Sequence, residues 1–187
     1  MTSPAEEEQL PMAPWGVLRD YRHVPAEWFD DFSCGNVHLD RWIRSQAMKD
    51  CLCGLCSCHV CVASDRSVSG FFTLSPTAVR PVDVSSGMRG GIRRLPIPAY
   101  LIGRLGVRTV LQGNGLGSRL LIEALRIVRD LARMGGGRLV IIDAKSEELA
   151  QWYEHFGFTR LKDNPLRLAM KMKTVERLVD EQTAHGL

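Results

Sequence analysis

The sequence predicts one mixed α/β domain, and three observations support this prediction. The 187 residues, 45% of them hydrophobic and 24% charged, match the size and composition of a single globular domain. The first half carries mainly strand patterns, whereas the second half alternates strand and helix patterns in the order βαβαββ. No apolar run approaches the roughly 18 residues of a membrane span, so a transmembrane protein is excluded.

The first 14 residues differ in composition from the rest of the chain. They contain Glu6, Glu7 and Glu8 together with three prolines, and they have no apolar core. This composition predicts a disordered lead-in over residues 1–14 and disagrees with a signal peptide. We therefore expect a cytoplasmic protein without a membrane partner.

The first half of the domain is expected to begin with a strand over Trp15–Tyr21 and to continue with a helix. Asn36 can cap this helix, because its side-chain oxygen can accept hydrogen bonds from the first free backbone N–H groups. Apolar residues then recur every three to four positions, at Leu39, Trp42, Ile43 and Ala47.

A hairpin and a long loop follow. Two apolar stretches, residues 58–64 and 69–75, flank Asp65-Arg66 and predict the hairpin. The segment from Pro76 to Pro98 is rich in glycine and proline, so we expect a loop. Loops of this length inside a compact domain are usually functional or disordered.

The second half has clearer boundaries. Tyr100–Val107 predicts a strand, and the apolar period over residues 116–134 predicts an amphipathic helix ended by Gly135-Gly136-Gly137. Leu139–Asp143 is apolar without polar alternation, as expected of a central strand covered on both faces. We further expect a helix from a Ser146 cap to Phe156, strands at 158–161 and 166–173, and a short terminal helix through Val175, Leu178 and Val179.

Five of the six cysteines lie between residues 51 and 61. The spacings Cys53/Cys56 and Cys58/Cys61, with His59 between, suggest a metal site. A structural zinc site usually joins two well-separated ligand pairs, whereas these pairs are one residue apart. We therefore favour Cys58 and Cys61 as small apolar strand residues and place the others in a loop, with no metal expected.

A glycine-rich segment, Gln112-Gly113-Asn114-Gly115-Leu116-Gly117, lies between a predicted strand and a predicted helix. Successive glycines allow backbone N–H groups to converge on one anion, and the helix dipole adds positive potential. The spacing is neither that of a Rossmann fingerprint nor that of a P-loop. From the residues alone, a phosphate cradle and a turn with a packing role are equally compatible with this segment.

This Q-x-x-G-x-G segment resembles the pyrophosphate-binding signature of the GNAT acetyltransferases, and Trp152–Phe158 resembles their "FYexfGF" element. The resemblance implies a single GNAT-like α/β (α+β) domain over residues 15–173, with 174–187 as a short C-terminal helix or tail. It implies a mixed, mostly antiparallel central sheet that is splayed at the acetyl-CoA site, with helices on both faces. Acetyl-CoA is then the expected cosubstrate.

Further segments resemble the acetyltransferase toxins of type II toxin–antitoxin systems. The resemblance implies an N-acetyltransferase that acetylates the α-amino group of aminoacyl-tRNA and blocks translation. It also implies a homodimer and a ribbon-helix-helix antitoxin that neutralises the enzyme. Gly106 and Arg108 depart from the Ala and Asp that this subfamily often has. The matching segments are Phe32–Gly35, Leu39–Ala47, Gly70–Ser75, Pro98–Leu105 and Asp143–Lys145.

The same resemblance implies roles for individual residues. Tyr153 is expected to be the general acid for the departing thiolate, although without the family match it reads as a core aromatic residue. The oxyanion is expected near the backbone N–H of Gly106 or Val107. The expected cofactor-binding residues are Leu105, Gly106, Val107, Gln112, Gly113, Asn114, Gly115, Leu116, Gly117 and Ser118.

Several arginines and one lysine are candidates for contacts to tRNA phosphates, which usually supply most of the affinity for a nucleic acid. The first three lie in the Pro76–Pro98 loop, which we expect beside the acetyl-CoA site, and the others follow the first helix. A run of charged residues more often forms a solvated face, and this is the favoured interpretation of each residue taken alone. The candidates are Arg89, Arg93, Arg94, Arg41, Arg44 and Lys49.

The expected reaction also explains why no catalytic base stands out. A free α-amino group titrates near ~8, far below the ~10.4 of a lysine side chain, and an aminoacyl ester lies lower still. Such an amine needs little help to lose its proton. Two alternatives remain: a GNAT enzyme acting on a small amine or a protein N-terminus, and a cysteine-based metal or redox module without acetyltransferase activity.

Overall fold

The computed structural model describes residues 16–184, which form one seven-stranded sheet with helices on both faces. The strand order is β1-β2-β3-β4-β5-β7-β6. Among these residues, no helix has the length and apolar character needed to cross a membrane. The elements are β1 Val17–Asp20, α1 Val37–Ser45, α2 Ala47–Leu52, β2 Ser57–Val62, β3 Val68–Val79, α3 Ser86–Arg89, β4 Ile97–Val107, α4 Leu116–Gly135, β5 Leu139–Asp143, α5 Glu147–Glu154, β6 Thr159–Arg160, β7 Arg167–Lys171 and α6 Met172–Ala184.

The sheet is antiparallel except between β4 and β5, which run parallel and are connected by α4. This parallel pairing covers only four residues, from Ala99 opposite Leu139 to Ile102 opposite Ile142. Beyond Ile102, β4 stays paired with β3 as far as Val107, with a register shift at Gly103, but no strand within residues 16–184 pairs with it on its other side. The sheet therefore splays between the carboxyl ends of β4 and β5, as expected.

Alternation along the strands divides the core between the two faces of the sheet. Phe72 faces a cluster built by α4, α5 and α6, in which Leu120, Leu125 and Val128 of α4 are buried. Its neighbour Phe71 faces the opposite cluster, built around Trp42 and Ile43 of α1. A third cluster covers the remaining part of this second face, with Met88 and Ile97 beside Ile141 of the central strand.

Capping positions were predicted well from the sequence. Asn36 accepts hydrogen bonds from the backbone N–H groups of His38 and Leu39, as expected. Ser146 likewise accepts from the backbone N–H of Leu149 at the start of α5. The first strand is shorter than expected and ends at Asp20, whose side chain accepts from Arg22 N and caps a 3₁₀ turn. The predicted lead-in, residues 1–14, lies outside the described residues.

The expected Pro76–Pro98 loop is too long at both ends. β3 continues to Val79 and β4 already begins at Ile97, so the irregular segment is 80–96, which itself contains the short helix α3. Pro76 is tolerated in β3 because β2 begins at Ser57, opposite Leu74. Beyond that point β3 is paired on one side only, and a strand edge accommodates a residue without an N–H.

The terminal helix is longer than expected. It spans the 13 residues of α6, and Val175 and Val179 on its inner face are fully buried against the α4 side of the sheet. These two side chains explain the apolar spacing that predicted the helix. Their burial makes α6 part of the domain's core rather than an appendage to it.

Candidate active site

A cleft of about 580 Å³ opens where β4 and β5 diverge. One side is formed by the end of β4, Gly103–Val107, and by the turn that follows it. The other side is formed by the end of β5 with Lys145 and by Leu149, Trp152 and Tyr153 of α5. The cleft therefore exists because the parallel pairing stops after Ile102.

The turn between β4 and α4 is held by the side chain of Gln112. Its Nε2 donates to the carbonyl oxygens of Val107 and Cys34, both at 2.9 Å. Gly113 and Gly115 have φ values of 78° and 81°, in the left-handed region that side chains other than glycine rarely adopt. Gly113 and Gly115 are thus required by the backbone conformation, whatever binds there, whereas Gly117 lies in α4 without a positive φ.

The first turn of α4 offers a site for an anion. Gly115 is the N-cap residue and has no side chain to satisfy the first backbone N–H groups of this 20-residue helix. Gly115, Gly117 and Ser118 all line the cleft. Free N–H groups and the positive end of the helix dipole favour a phosphate or pyrophosphate at this position.

The exposed edge of β4 supplies backbone hydrogen-bonding groups to the same cleft. From Gly103 to Val107 these groups have no strand partner on the β5 side. Gly106 is buried beneath Phe71, since a Cβ at this position would lie 2.9 Å from Phe71 Cε1 and 3.4 Å from Cys34 Sγ. The contact with Phe71 leaves little room for the alanine that the resemblance leads us to expect at this position.

A buried carboxylate organises the segment that precedes α1. Asp40 accepts hydrogen bonds from Cys34 N at 2.8 Å, from Cys34 Sγ at 3.1 Å and from Ser33 Oγ at 2.7 Å. Burial would raise the pKa of Asp40, but these hydrogen bonds outweigh it and hold the pKa below its usual value. The pKa of Cys34 is raised to about 11 by burial and by Asp40, so this thiol stays protonated.

This segment also supports the turn after β4. The carbonyl oxygen of Ser33 accepts from both the backbone N–H and the hydroxyl of Thr109, each at 2.8 Å. The carbonyl of Cys34 accepts from Gln112, as described above. Asp40 therefore positions the glycine-rich turn indirectly, through two residues whose backbone holds it.

Tyr153 lies where the resemblance predicts a catalytic acid. It lines the cleft and is 8% exposed, and its ring packs edge-on against Trp152 and Phe158. Burial raises its pKa to about 12, so the phenol is protonated at neutral pH. Its hydroxyl makes no hydrogen bond within residues 16–184, which leaves the proton available to a ligand in the cleft.

Most of the predicted cofactor-binding residues come together in this cleft. Two do not line it: Leu116 is buried in the core, and the exposed Asn114 braces the turn by donating to Gln112 O at 3.1 Å. The residues that line the cleft are Leu105, Gly106, Val107, Gln112, Gly113, Gly115, Gly117 and Ser118. Their contacts with a cofactor remain predictions.

None of the predicted RNA-binding residues lines the cleft. The loop with Arg89, Arg93 and Arg94 joins β3 to the start of β4, and about 20 Å of strand separates Ile97 from Gly103. The expectation that this loop lies beside the acetyl-CoA site is therefore wrong, because the connection between two antiparallel strands and their open end lie at opposite ends of the strands. Contacts of these arginines with RNA remain a prediction.

The three candidates on the first helices have different surroundings. All three are exposed, but Arg44 also donates from Nη1 to the carbonyl oxygen of Phe32 at 2.9 Å. Arg44 thus has a structural contact that competes with a phosphate.

Sequence reasoning missed Arg104, which lines the cleft and places its guanidinium carbon 4.0 Å from the centre of the Trp42 ring. A signal for it exists, because Arg104 is the one charged residue of the otherwise uncharged strand Ile97–Val107. Asn36, Asp143 and Lys145 also line the cleft and were not among the predicted site residues.

Cys58 and Cys61 are strand residues, as expected, but Cys51 lies in α2 and not in the expected loop. Cys58 and Cys61 are buried in β2, and burial raises the pKa of both thiols. Cys51 and Cys56 are half-buried, and Cys53 is exposed. Within residues 16–184, no group of three or more His, Cys, Asp or Glu side chains is arranged to hold a metal ion.

Comparisons with known proteins agree with this geometry. No family model matches the chain. The tRNA-acetylating toxin of Mycobacterium tuberculosis is 32% identical over 166 residues, which cover 89% of this chain and 99% of that protein. Among solved structures, AtaT complexed with acetyl-methionyl-tRNAfMet matches with a TM-score of 0.76 at 21% identity and covers 87% of this chain and 98% of its own.

A second structure holds a cofactor and a protein partner. A Tyr-to-Phe mutant of AtaT, bound to the C-terminus of the antitoxin AtaR and to acetyl-CoA, matches with a TM-score of 0.70 at 20% identity. It covers 87% of this chain and 96% of its own. These likenesses confirm the expected fold, a mixed and mostly antiparallel sheet that is open at the cleft.

Proposed function

Because the chain belongs to the family of tRNA-acetylating toxins, we propose that it transfers the acetyl group of acetyl-CoA to the α-amino group of an aminoacyl-tRNA. Acetylation of that amine removes the nucleophile needed for peptide-bond formation and so stops translation. The observation that carries the proposal is the 32% identity to a tRNA-acetylating toxin over 89% of the chain. The cleft with its anion site and buried tyrosine supports it.

The residues that line the cleft offer hydrogen-bonding groups that match those of acetyl-CoA. The pyrophosphate would accept hydrogen bonds from backbone N–H groups at the start of α4, where Gly115 leaves them free. The pantetheine arm carries amide groups, and the unpaired edge of β4 over Gly103–Val107 offers matching donors and acceptors. The thioester would then lie between this edge and Tyr153.

The chemistry is attack of a neutral amine on the thioester carbon. As the N–C bond forms, the carbonyl oxygen becomes an oxyanion that accepts from a backbone N–H near Gly106 or Val107. The C–S bond then breaks, and Tyr153 donates its proton to the leaving sulfur. A thiol is more acidic than a phenol with a pKa of about 12, so transfer of the proton from Tyr153 to the thiolate is unfavourable by itself. It goes to completion because the nitrogen that has been acetylated loses a proton, and this proton restores the phenol of Tyr153.

The reaction needs no strong base. An α-amino group that titrates near ~8 or below has a substantial neutral fraction at physiological pH. Among residues 16–184, those that line the cleft include no histidine or glutamate, and Asp143 forms an ion pair with Arg167 at 3.6 Å. Water can accept the proton that the protonated α-amino group loses before it attacks the thioester.

We also propose that an antitoxin of the ribbon-helix-helix class neutralises the enzyme, and that the toxin is a homodimer. The structure of AtaT with the C-terminus of AtaR supports the proposal of a protein antitoxin. Co-expression with the product of the adjacent short gene, followed by light scattering of the purified complex, tests both the partner and the stoichiometry. Growth arrest that persists despite the neighbouring gene product would contradict the proposed partner.

The deciding experiment incubates the protein with labelled acetyl-CoA and a pool of charged tRNA. We expect label on the aminoacyl group, and we expect Tyr153→Phe to lower kcat by about 10²–10⁴, the usual contribution of a general acid. Tyr100→Phe is the matched control, because the hydroxyl of Tyr100 donates to Gly136 O outside the cleft. Label on free amines or protein N-termini, with none on tRNA, would favour the alternative GNAT activity instead.

A further inference from the structure

The side chain of Arg104 has features of a preformed anion site. Its guanidinium lies over the ring of Trp42, 4.0 Å from the ring centre, and the residue lines the cleft. Within residues 16–184 the guanidinium donates no hydrogen bond, so all five of its N–H groups are available to a ligand. A cation stacked on an aromatic ring keeps its donor edge free, and this edge matches phosphate oxygens in pairs.

The ring beneath Arg104 is itself fixed. Trp42 is 8% exposed and stacks on Phe71, with ring centres 6.0 Å apart and an angle of 26° between the planes. Its Nε1 donates to Asp50 Oδ2 at 2.8 Å. Gln46 donates to the other oxygen of the same carboxylate at 2.9 Å. The guanidinium therefore rests on a rigid support, and little side-chain freedom is lost when a ligand binds.

Arg104 lies apart from the anion site at the start of α4. Three residues of extended strand, about 10 Å, separate it from Val107, whose carbonyl holds Gln112 and the glycine turn. Its guanidinium lies over Trp42 of α1, and Cys34, Asn36 and Leu39 line the same cleft. A pyrophosphate bound by the backbone at the glycine turn does not account for a cationic side chain at this distance.

The other charged groups at or near the cleft that the structure describes form no ion pair with Arg104. Asp143 pairs with Arg167, and Lys145 lies on the opposite side, after β5. Asp50 is close enough to Arg104 for attraction, which contributes to its lowered pKa after the larger effects of the hydrogen bonds from Trp42 and Gln46. Its two oxygens are engaged by those donors.

Building on the proposed function, we propose that Arg104 binds a backbone phosphate at the 3′ end of the aminoacyl-tRNA, close to the amino acid. Arg104 is then a specificity-determining residue: it favours an α-amino group carried on a phosphodiester chain over the same group on a phosphate-free carrier. Trp42 is a positioning residue, because it acts by holding the guanidinium.

The test compares two acceptors that present the same amino acid. One is charged tRNA, and the other is an aminoacyl-adenosine that has no phosphate. For Arg104→Gln we expect kcat/KM with charged tRNA to fall about 10–100-fold, the usual effect of losing hydrogen bonds to a charged group. We expect kcat/KM with the aminoacyl-adenosine, and KM for acetyl-CoA, to change by less than about 2-fold. Arg104→Lys keeps the charge without the paired donors and should lie between wild type and Arg104→Gln.

Salt dependence gives an independent measurement. Because each phosphate contact contributes about 0.7 to the slope of log affinity against log salt for a single strand, Arg104→Gln should flatten the slope by about this amount. Arg177→Gln, at an exposed arginine of α6, is the control and should leave activity with both acceptors unchanged.

Each outcome decides the proposal. An equal loss with both acceptors would overturn it, because Arg104 would then serve the chemistry or the fold. An unchanged kcat/KM with charged tRNA would overturn it as well. If the wild-type protein acetylates neither acceptor, the proposed function itself fails, which the wild-type measurement shows before any variant is made.

Discussion

The two sides of β4 recognise ligands in different ways. The cofactor wall, formed by the backbone of Gly103–Val107 and the turn 112–118, offers backbone groups, and in the turn their positions depend on Gly113 and Gly115 at positive φ; Arg104 belongs to this wall by its backbone only. The α1 wall, formed by Cys34, Asn36, Leu39 and Arg104, offers side chains supported by Trp42 and Asp40. Backbone recognition suits a cosubstrate that never varies, whereas side chains can change to select an acceptor.

The separation between the walls is not complete, and Asp40→Ala tests how they are joined. This carboxylate lies outside the cleft, but it holds Cys34, whose carbonyl holds Gln112. Each buried donor left unpaired costs about 1–3 kcal/mol. We expect a loss of this size or larger in the free energy of unfolding, measured by urea denaturation, together with a higher KM for acetyl-CoA.

The control for this prediction is Asp30→Ala, at an exposed aspartate just before the same segment. It should leave both the unfolding free energy and KM close to the wild-type values. An unchanged KM in Asp40→Ala would mean that the cofactor wall stands without the α1 wall.

Gly115→Ala tests whether the cofactor wall depends on backbone conformation. Its φ of 81° strains any other residue by about 1 kcal/mol or more, although a Cβ would meet no atom within 4 Å. We expect a modest loss of stability and a several-fold higher KM for acetyl-CoA, with kcat for saturated enzyme little changed. Gly87→Ala, in α3 and without a positive φ, is the matched control, and an equal effect of the two variants would contradict this view.

The smallest expected effect concerns pH. A tyrosine whose pKa is about 12 in the folded protein and about 10 when unfolded adds stability below pH 10, and this stability is lost as the pH rises above that value. For Tyr153 the loss by pH 10.5 stays below about 1 kcal/mol. Unfolding free energies measured from pH 8 to 10.5 should therefore decline less steeply in Tyr153→Phe than in the wild type. Parallel curves would show that Tyr153 is not buried as described.

The features that the sequence predicts differ from those that it does not predict in how far apart in the chain their residues lie. The cap at Asn36, the glycine turn and the strand Leu139–Asp143 were predicted because each depends on residues next to one another in the chain. The stack of Arg104 on Trp42 brings together residues from distant elements, which no local pattern records. The same limitation applies to Pro76, whose place in a strand depends on where the neighbouring strand begins.

The placement of the arginine loop failed for a related reason. The composition of the loop suggested a phosphate site at Arg89, Arg93 and Arg94. The position of this loop relative to the cleft, however, depends on the direction of β3 and β4. Tyr153, which was singled out by a motif that covers a whole element, does line the cleft, while its catalytic role stays a prediction. Spacing within an element is thus more informative than charge within a loop.

The open edge of β4 has a further consequence, for amide hydrogen exchange. Gly103 is the extra residue where the register between β3 and β4 shifts. Beyond it, successive N–H groups of the antiparallel strand point to opposite sides, so between Arg104 and Val107 every second one is bonded to β3 while the others face the cleft. The strand should therefore exchange at two rates in alternation, slow and fast, within one rigid element. A pantetheine chain lying along the edge would slow the fast set alone, and the alternation itself would become a residue-by-residue record of cofactor occupancy.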